Sequence, residues 1–539
     1  MRGAERSVNV LELVLGLLVV VAALVTVARK TQVPYPVVLV AGGLALALVP
    51  GLPHVQLDPK LVFVLFLPPL VYQAAAATSL RDLRAYRRSI SSLAVGLVLF
   101  TMLVVALVAH QAMAIPWGPA LVLGIIVSPP DAVAAIAVAR HLQVPKRIVT
   151  ILEAEGLLND ATAFVIYRMA VAAVVTGAFS LQEASLRFVW SVTGGVFFGL
   201  LVGYAVAWVR DHVDDPPVGI TISLLTPFAA YIPAEAAGVS GIVATVATGL
   251  YVGQRLPVIM DAGTRLQAYA VWDMVVFILN GLAFILIGLQ LPAVIEDLAA
   301  PSGHWPLSEL ITDALLISAV IVVARIPWVF ATAYLPGALS PRLRTRDPYP
   351  PWQYVAVVAW AGMRGVDSLA TALALPLVTS QGSPFPDRPL ILFLTFCVIF
   401  ATLVLQGLSL GPIIRWLKLK DDDLAEREEV IARLKLSQAG SARLEDLARE
   451  GSVAEPMLDL LRNNYAERIR RYSSEHDEVD VRESAGVDQQ STLYRRVRRK
   501  LLGAERMELI RLRNQGVIGE EVLRTVQHDL DLEESLLGE

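Results

Sequence analysis

Apolar runs long enough to cross a bilayer recur along this 539-residue chain as far as Leu417, and they dictate its class. A hydrocarbon core about 30 Å thick is spanned by about 20 residues of helix. Hydropathy places about 13 such spans, at residues 9–28, 34–51, 59–79, 89–113, 118–139, 148–176, 186–209, 217–234, 238–254, 267–292, 309–335, 352–378 and 388–416. The expected fold is an all-α polytopic membrane protein. With 55% hydrophobic and only 17% charged residues, an ordinary soluble globule is excluded. The formal net charge of −4 decides little, because the charges are segregated along the chain. The single cysteine, Cys397, lies in an apolar run, which rules out a disulfide framework or a thiolate metal cluster and leaves a packing role. No small-residue cleavage pattern precedes Arg29 and Lys30, so the first run reads as a retained span and not a signal peptide.

Loop charges set the expected orientation. With the N-terminus outside, the cytosolic loops hold Arg29 and Lys30; Arg81, Arg84, Arg87 and Arg88; Arg140, Lys146 and Arg147; Arg210; Arg255 and Arg265; and Arg342, Arg344 and Arg346. The opposite loops hold little beyond Lys60, Arg187 and Arg388. The positive-inside bias therefore predicts an external N-terminus, a cytosolic C-terminus and an odd number of spans.

The sixth span carries Glu153, Glu155, Asn159 and Asp160 in an otherwise apolar stretch. A carboxylate inside a span is costly and by default marks a functional site. Glu155 and Asn159 share one helix face and Glu153 and Asp160 another, with Asp160 about 10 Å deeper than Glu153. Capping of the helix start accounts for Glu153 or Glu155, but Asp160 lies too deep for it. In the fifth span, Ser128-Pro129-Pro130-Asp131 breaks the helix, since two prolines remove backbone donors. Such a break persists in lipid only where it is buried or lines a wet cavity, and its free carbonyls and half-helix ends suit an ion. Arg325, deep in the eleventh span, requires a partner, and a buried carboxylate from another span stabilises it best.

Glu155-x-x-x-Asn159-Asp160 resembles the E-x-x-x-N-D signature of the Na+/H+ exchanger type of monovalent cation–proton antiporters, in a bacterial form. Companion motifs follow in the family's order over roughly residues 11–417. Leu67-Pro68-Pro69-Leu70 is similar to the family's LPP-L segment, with Gln73 where many members carry an acid. The fifth-span break resembles S-P-T-D-P, with Pro130 in place of threonine and Ala132 in place of the second proline. Gly156 stands where serine is common, and Gly362-Met363-Arg364-Gly365 resembles G-x-R-G. Asp367 departs from a pattern in which small or apolar residues are commoner; it is expected to pair with Arg364, the alternative being a second titrating acid.

The resemblance implies inverted repeats, spans one to six and eight to thirteen, with two interrupted helices crossing at the midplane. It implies a transport bundle from spans 4–6 and 11–13, and a dimer bundle from spans 1–3 and 7–10. Asp160 is then the carrier, holding a proton or a cation in turn, and Arg325 pairs with Glu155. Asn159 keeps the site polar, while Asp131 with the carbonyls of Ser128 and Pro130 completes a hard-oxygen shell for a monovalent cation. Glu153, Thr162, Gln73, Arg364 and Asp367 are supporting residues; the Thr162 hydroxyl either serves Asp160 or back-bonds to its own helix. The implied activity is electroneutral one-for-one exchange of Na+ or Li+ for H+ in a homodimer at the plasma membrane. K+/H+ exchange is the alternative within the class, and a non-transporting membrane sensor the alternative outside it. No cofactor, enzymatic reaction or nucleic-acid partner is expected: the chain has no nucleotide-binding glycine loop, His/Cys cluster or Ser-His-Asp order.

Beyond Leu417 the composition turns charged. Residues 418–539 read as a helical cytosolic tail, regulatory in one reading, with an amphipathic helix from Asp421, a linker near Ser473–Gln490 and a helical hairpin broken at Asn514–Gly516. The basic run Arg495–Lys500 is either a lipid-facing patch or a solvated helix face.

Overall fold

The computed structural model describes residues 2–31, 33–49, 59–141, 144–178, 180–213, 215–260, 262–298, 306–339, 349–419, 424–450 and 455–481, with single residues at 505, 511, 515 and 532. Among these the fold is all-helical, with one isolated β-bridge and no strand. The chain divides into units Met1–Asp421 and Asp422–Glu539.

In the first unit, α1 (Arg2–Thr31), α2 (Tyr35–Ala47) and α3 (Pro59–Ala77) come first, then α4 (Leu80–Ala85) and α5 (Arg87–Ser91). A π-helical turn at Ser92–Leu97 leads into α6 (Val98–Met113). The fifth hydropathy segment is two helices, α7 (Trp117–Ile126) and α8 (Ala132–His141), and α9 (Lys146–Thr176) follows. The next run comprises α10 (Leu181–Arg210), α11 (Pro216–Ala236), α12 (Gly241–Ile259), α13 (Ala262–Leu289) and the short α14 (Leu291–Leu298). After α15 (Leu307–Leu339), the twelfth segment is again split, into α16 (Trp352–Trp360) and α17 (Val366–Leu373), before α18 (Arg388–Leu417). Among the described residues eight helices are long and apolar enough to cross a membrane, and shorter apolar helices cover Tyr35–Ala47, Val64–Ala77 and Trp117–Ile126.

Helix ends follow local chemistry. Pro116, Pro145 and Pro351 directly precede α7, α9 and α16, where a missing N–H costs nothing. Gly177 ends α9 with φ 71°, the left-handed cap that glycine adopts without penalty. Because α9 starts at Lys146, neither Glu153 nor Glu155 lies in its first turn, and the capping explanation for both is set aside.

Close packing relies on small residues, as expected where lipid supplies no hydrophobic drive between helices. Gly195, Gly199 and Gly203, at every fourth position of α10, lie against α12. Gly249 and Gly253 of α12 lie against the backbone of α3, and Gly43 of α2 meets Gly288 of α13. On the other side, α6, α7, α9, α15 and α18 enclose a second apolar core around Leu123, Ile126 and Ile317.

In the second unit, α19 (Leu424–Arg449) and α20 (Glu455–Val481) form an antiparallel hairpin. Gly440 faces Tyr465, and Arg462 donates to Glu445 at 2.9 and 3.0 Å. The helix runs through Ser473 to Val481, so the expected linker does not begin at Ser473; residues 473–481 stay helical on the second arm of the hairpin. The expected hairpin after residue 490, its basic run, and Arg342, Arg344 and Arg346 lie outside the described residues.

A Cβ at position 288 would run into the backbone of Val40, Gly43 and Leu44. Gly288→Val should therefore destabilise the protein by about 1–3 kcal/mol, seen as a lower melting temperature in detergent. Gly16→Ala, which meets open space, should leave it unchanged.

Candidate ion-binding site

The two broken helices meet at their breaks. After α7, Pro129 and Pro130 withhold backbone donors and the chain is non-helical until Ala132. After α16, residues 361–365 are non-helical, and the Asp131 N–H donates across to the Met363 carbonyl at 2.7 Å. Each break also supplies the charge that a helix end of the other requires. From the first, Asp131 Oδ1 accepts from the Val133 N–H at 2.8 Å, capping α8, while the carboxylate also takes the backbone of Val366 at the start of α17. From the second, Arg364 Nη1 donates at 2.5 Å to the Ser128 carbonyl at the end of α7. The Arg364 N–H is held by Thr402 Oγ1 of α18 at 3.0 Å. Glycine is required beside this crossing: a Cβ at Gly365 would overlap the Asp131 carboxylate, and one at Gly362 would meet the Arg325 side chain.

Arg325 of α15 donates to Glu155 of α9 from both terminal nitrogens, at 2.6 and 2.8 Å, and from Nε and Nη2 to the Val358 carbonyl near the end of α16. Both side chains are 1% exposed. Desolvating two charges is repaid only with such bidentate geometry and further hydrogen bonds. This pair ties α9 and α15 to the second broken helix.

On the opposite face of α9, Asp160 lines a cavity of about 20 Å³, bounded also by Leu67 of α3, Ile125, Pro129, Phe164, Ile242 of α12, and Asp367 and Thr371 of α17. That is room for about one water molecule or one small dehydrated ion. The carboxyls of Asp160 and Asp367 face each other, with Asp131 beside both. Next to them, Asn159 Nδ2 donates to the Pro130 carbonyl at 3.1 Å, while its fully buried Oδ1 has no partner. Arg168, one turn beyond Phe164, lies over that ring at 5.8 Å and is ion-paired with Glu235 of α11.

Asp131, Asn159, Asp160, Ser128, Pro130, Arg364 and Asp367 thus come together at the crossing, and Glu155 with Arg325 anchors it. Several expectations change. Arg364 does not pair with Asp367: its guanidinium is drawn to the Ser128 carbonyl, leaving Asp367 toward Asp160. The Ser128 and Pro130 carbonyls already accept from Arg364 and Asn159, and the Ser128 hydroxyl donates to the Ile125 carbonyl, so these groups hold the break closed. The Thr162 hydroxyl back-bonds to the Leu158 carbonyl at 2.9 Å. Gln73 and Glu153 are half-buried and lie outside the cavity lining. The family departures Ala132 and Gly156 are one contact, since a Cβ at 156 would overlap Ala132. Phe164 and Thr371 went unnoticed in the sequence, although each sits four residues after a cavity acid and so on its face.

Removing one partner of the buried pair strands the other charge, so Glu155→Gln or Arg325→Gln should each cost about 3–5 kcal/mol. The double variant should lose less than the sum of the singles. Thermal unfolding of the purified protein in a double-mutant cycle reads this coupling.

The family model described as "sodium/hydrogen exchanger, transmembrane" matches residues 16–416. The chain is 37% identical over 540 residues to an uncharacterised Na+/H+ exchanger of Mycobacterium tuberculosis, covering 98% of both chains. It is 32% identical over 514 residues to the sodium, potassium, lithium and rubidium/H+ antiporter of Bacillus pumilus, covering 93% of this chain and 74% of that one. Among solved structures it shares the fold of the sodium proton antiporter MjNhaP1 from Methanocaldococcus jannaschii, with a TM-score of 0.60 at 18% identity over 76% of this chain and 99% of that one. By the extent of the family match and of its relatives, the chain belongs to the transmembrane sodium/hydrogen exchanger family.

Proposed function

We propose that the protein is a secondary antiporter that expels cytosolic Na+ or Li+ in exchange for H+, with proton and cation competing for the Asp160 carboxylate. The observation that carries this reading is the water-sized cavity at the crossing, walled by the carboxyls of Asp160 and Asp367, by Thr371 and otherwise by apolar side chains. An exchanger must hold one ion or the other, never both. A carboxylate does so by offering the same oxygens to a proton or to a cation that prefers hard oxygen ligands. Asp131 holds the two half-helices and adds negative charge beside the cavity, Asn159 offers its free carbonyl oxygen, and the Glu155–Arg325 pair keeps the frame rigid. Rocking of α6–α9 and α15–α18 against α1–α3 and α10–α13 would alternate access, each of the two inverted repeats contributing helices to both sets. The second set is the proposed homodimer contact. The loop charges support a multi-pass plasma-membrane protein with an external N-terminus and the tail, a candidate regulatory element, in the cytosol. No covalent chemistry or cofactor enters this mechanism.

K+/H+ exchange is the second reading. The Ala132–Gly156 contact favours it by replacing a position where serine is common in the family, and the Bacillus pumilus relative is named for potassium as well as for sodium, lithium and rubidium.

In proteoliposomes with an imposed pH gradient, added Na+ or Li+ should dissipate the gradient in wild type and not in Asp160→Asn, a loss of at least about tenfold in rate. Dissipation by K+ alone selects the second reading. If no cation acts on the folded protein, antiport falls and a sensor role takes its place.

A further inference from the structure

We infer that Asp367 is a second proton carrier of the cavity, so that each cation is exchanged for two protons. The inference rests on the antiport reading and goes beyond it in stoichiometry. An acid in the first turn of a helix is ordinarily explained by the helix dipole, but here Asp131 already serves the start of α17 through Val366. The Thr371 hydroxyl bonds the backbone carbonyl of Asp367, not its carboxyl. Arg364, three residues before it, is committed to Ser128, and no described basic side chain lies within ion-pair distance of Asp367 or Asp160. The acidic groups facing Asp367 are Asp160 and Asp131. Two carboxylates across a cavity walled by Leu67, Ile125, Phe164 and Ile242 require positive charge between or upon them. Since the fold supplies none, the charge must be exchangeable.

A second observation points the same way. Asn159 Oδ1 and Ser368 Oγ, both on residues no more than 1% exposed, have no partner. Each belongs to the residue next in sequence to a cavity acid, so unsatisfied hydrogen-bonding capacity lies beside the two carboxyls. Loaded with a monovalent cation, the two carboxylates and the ion sum to one negative charge. Loaded with protons, both are neutral acids. Each turnover then forms and breaks two O–H bonds for every cation moved, and one net positive charge travels with the protons. Counting acids in the sixth span alone misses this, because the second acid arrives from the other broken helix.

The test is the reversal point of Na+ flux in proteoliposomes, with about one pH unit across the membrane and the voltage clamped at zero by equal permeant thiocyanate. One proton per cation reverses flux at about a tenfold Na+ gradient, two at about a hundredfold. We expect the wild type and Asp367→Glu near a hundredfold, and Asp367→Asn or Asp367→Val near tenfold. A wild type reversing near tenfold overturns the inference while leaving antiport intact, as does Asp367→Asn still reversing near a hundredfold. Should the Asn and Val variants fail to fold, the wild-type and Asp367→Glu reversal points decide. Absence of any cation-driven proton flux in wild type would instead remove the antiport reading beneath it.

Discussion

Two helix breaks that cap each other are the constraint on which the rest of this structure depends. A helix interrupted inside a bilayer exposes carbonyls at one end and amides at the other, and no water is present to receive them. Here the first break contributes an acid, Asp131, to the amide ends of α8 and α17. The second contributes a base, Arg364, to the carbonyl end of α7. The remaining carbonyl end, α16, is taken by Arg325, itself neutralised by Glu155. A backbone bond from Asp131 to Met363 fixes the distance between the breaks. Loss of any of these charges would leave a half-helix dipole uncompensated beside the cavity.

The capping also sorts the buried acids by role. Glu155 and Asp131 accept from fixed donors, a guanidinium in one case and backbone amides in the other, so their charge is part of the frame. Asp160 and Asp367 have no such donors and share a cavity with room for one small ion. Under the proposed antiport, the fixed charges would hold the geometry and the uncompensated ones would exchange their counter-charge. That division lets a site be rigid in shape yet variable in occupancy.

The cavity lies where two kinds of packing meet. Leu67 and Ile242 come from α3 and α12, which the glycines of α12 bring backbone to backbone. Pro129, Asp160 and Asp367 come from the broken helices and α9, which are joined by ion pairs and caps. Tight small-residue contact resists sliding, whereas the apolar wall offers the acids no hydrogen bond to break. The proposed alternation would fall at this boundary. Arg168 with Glu235, linking α9 to α11 beside Phe164, is a polar contact across it.

Much of this was legible in the sequence. Hydropathy marks the helices because lipid leaves the backbone no alternative, and Pro129-Pro130 and Gly362–Gly365 mark the breaks because proline and glycine act locally. The depth of Glu155, Asp160 and Arg325 marks them as partners or ion ligands, since an isolated charge there is too costly. Which charge meets which is another matter. Arg364 and Asp367 are one helical turn apart in sequence and were expected to pair, yet Arg364 turns to the other broken helix and Asp367 to Asp160 of α9. Ser128, Pro130 and Thr162 offered oxygens that the sequence could not show to be already engaged. The tail shows the same limit, where residues 473–481, read as the start of a linker, remain helical. Residue type and local period determined the class, the breaks and the acids of this protein. Only the crossing of segments more than two hundred residues apart decided which acids are capped and which stand free, because a hydrogen bond depends on distance in space and not along the chain.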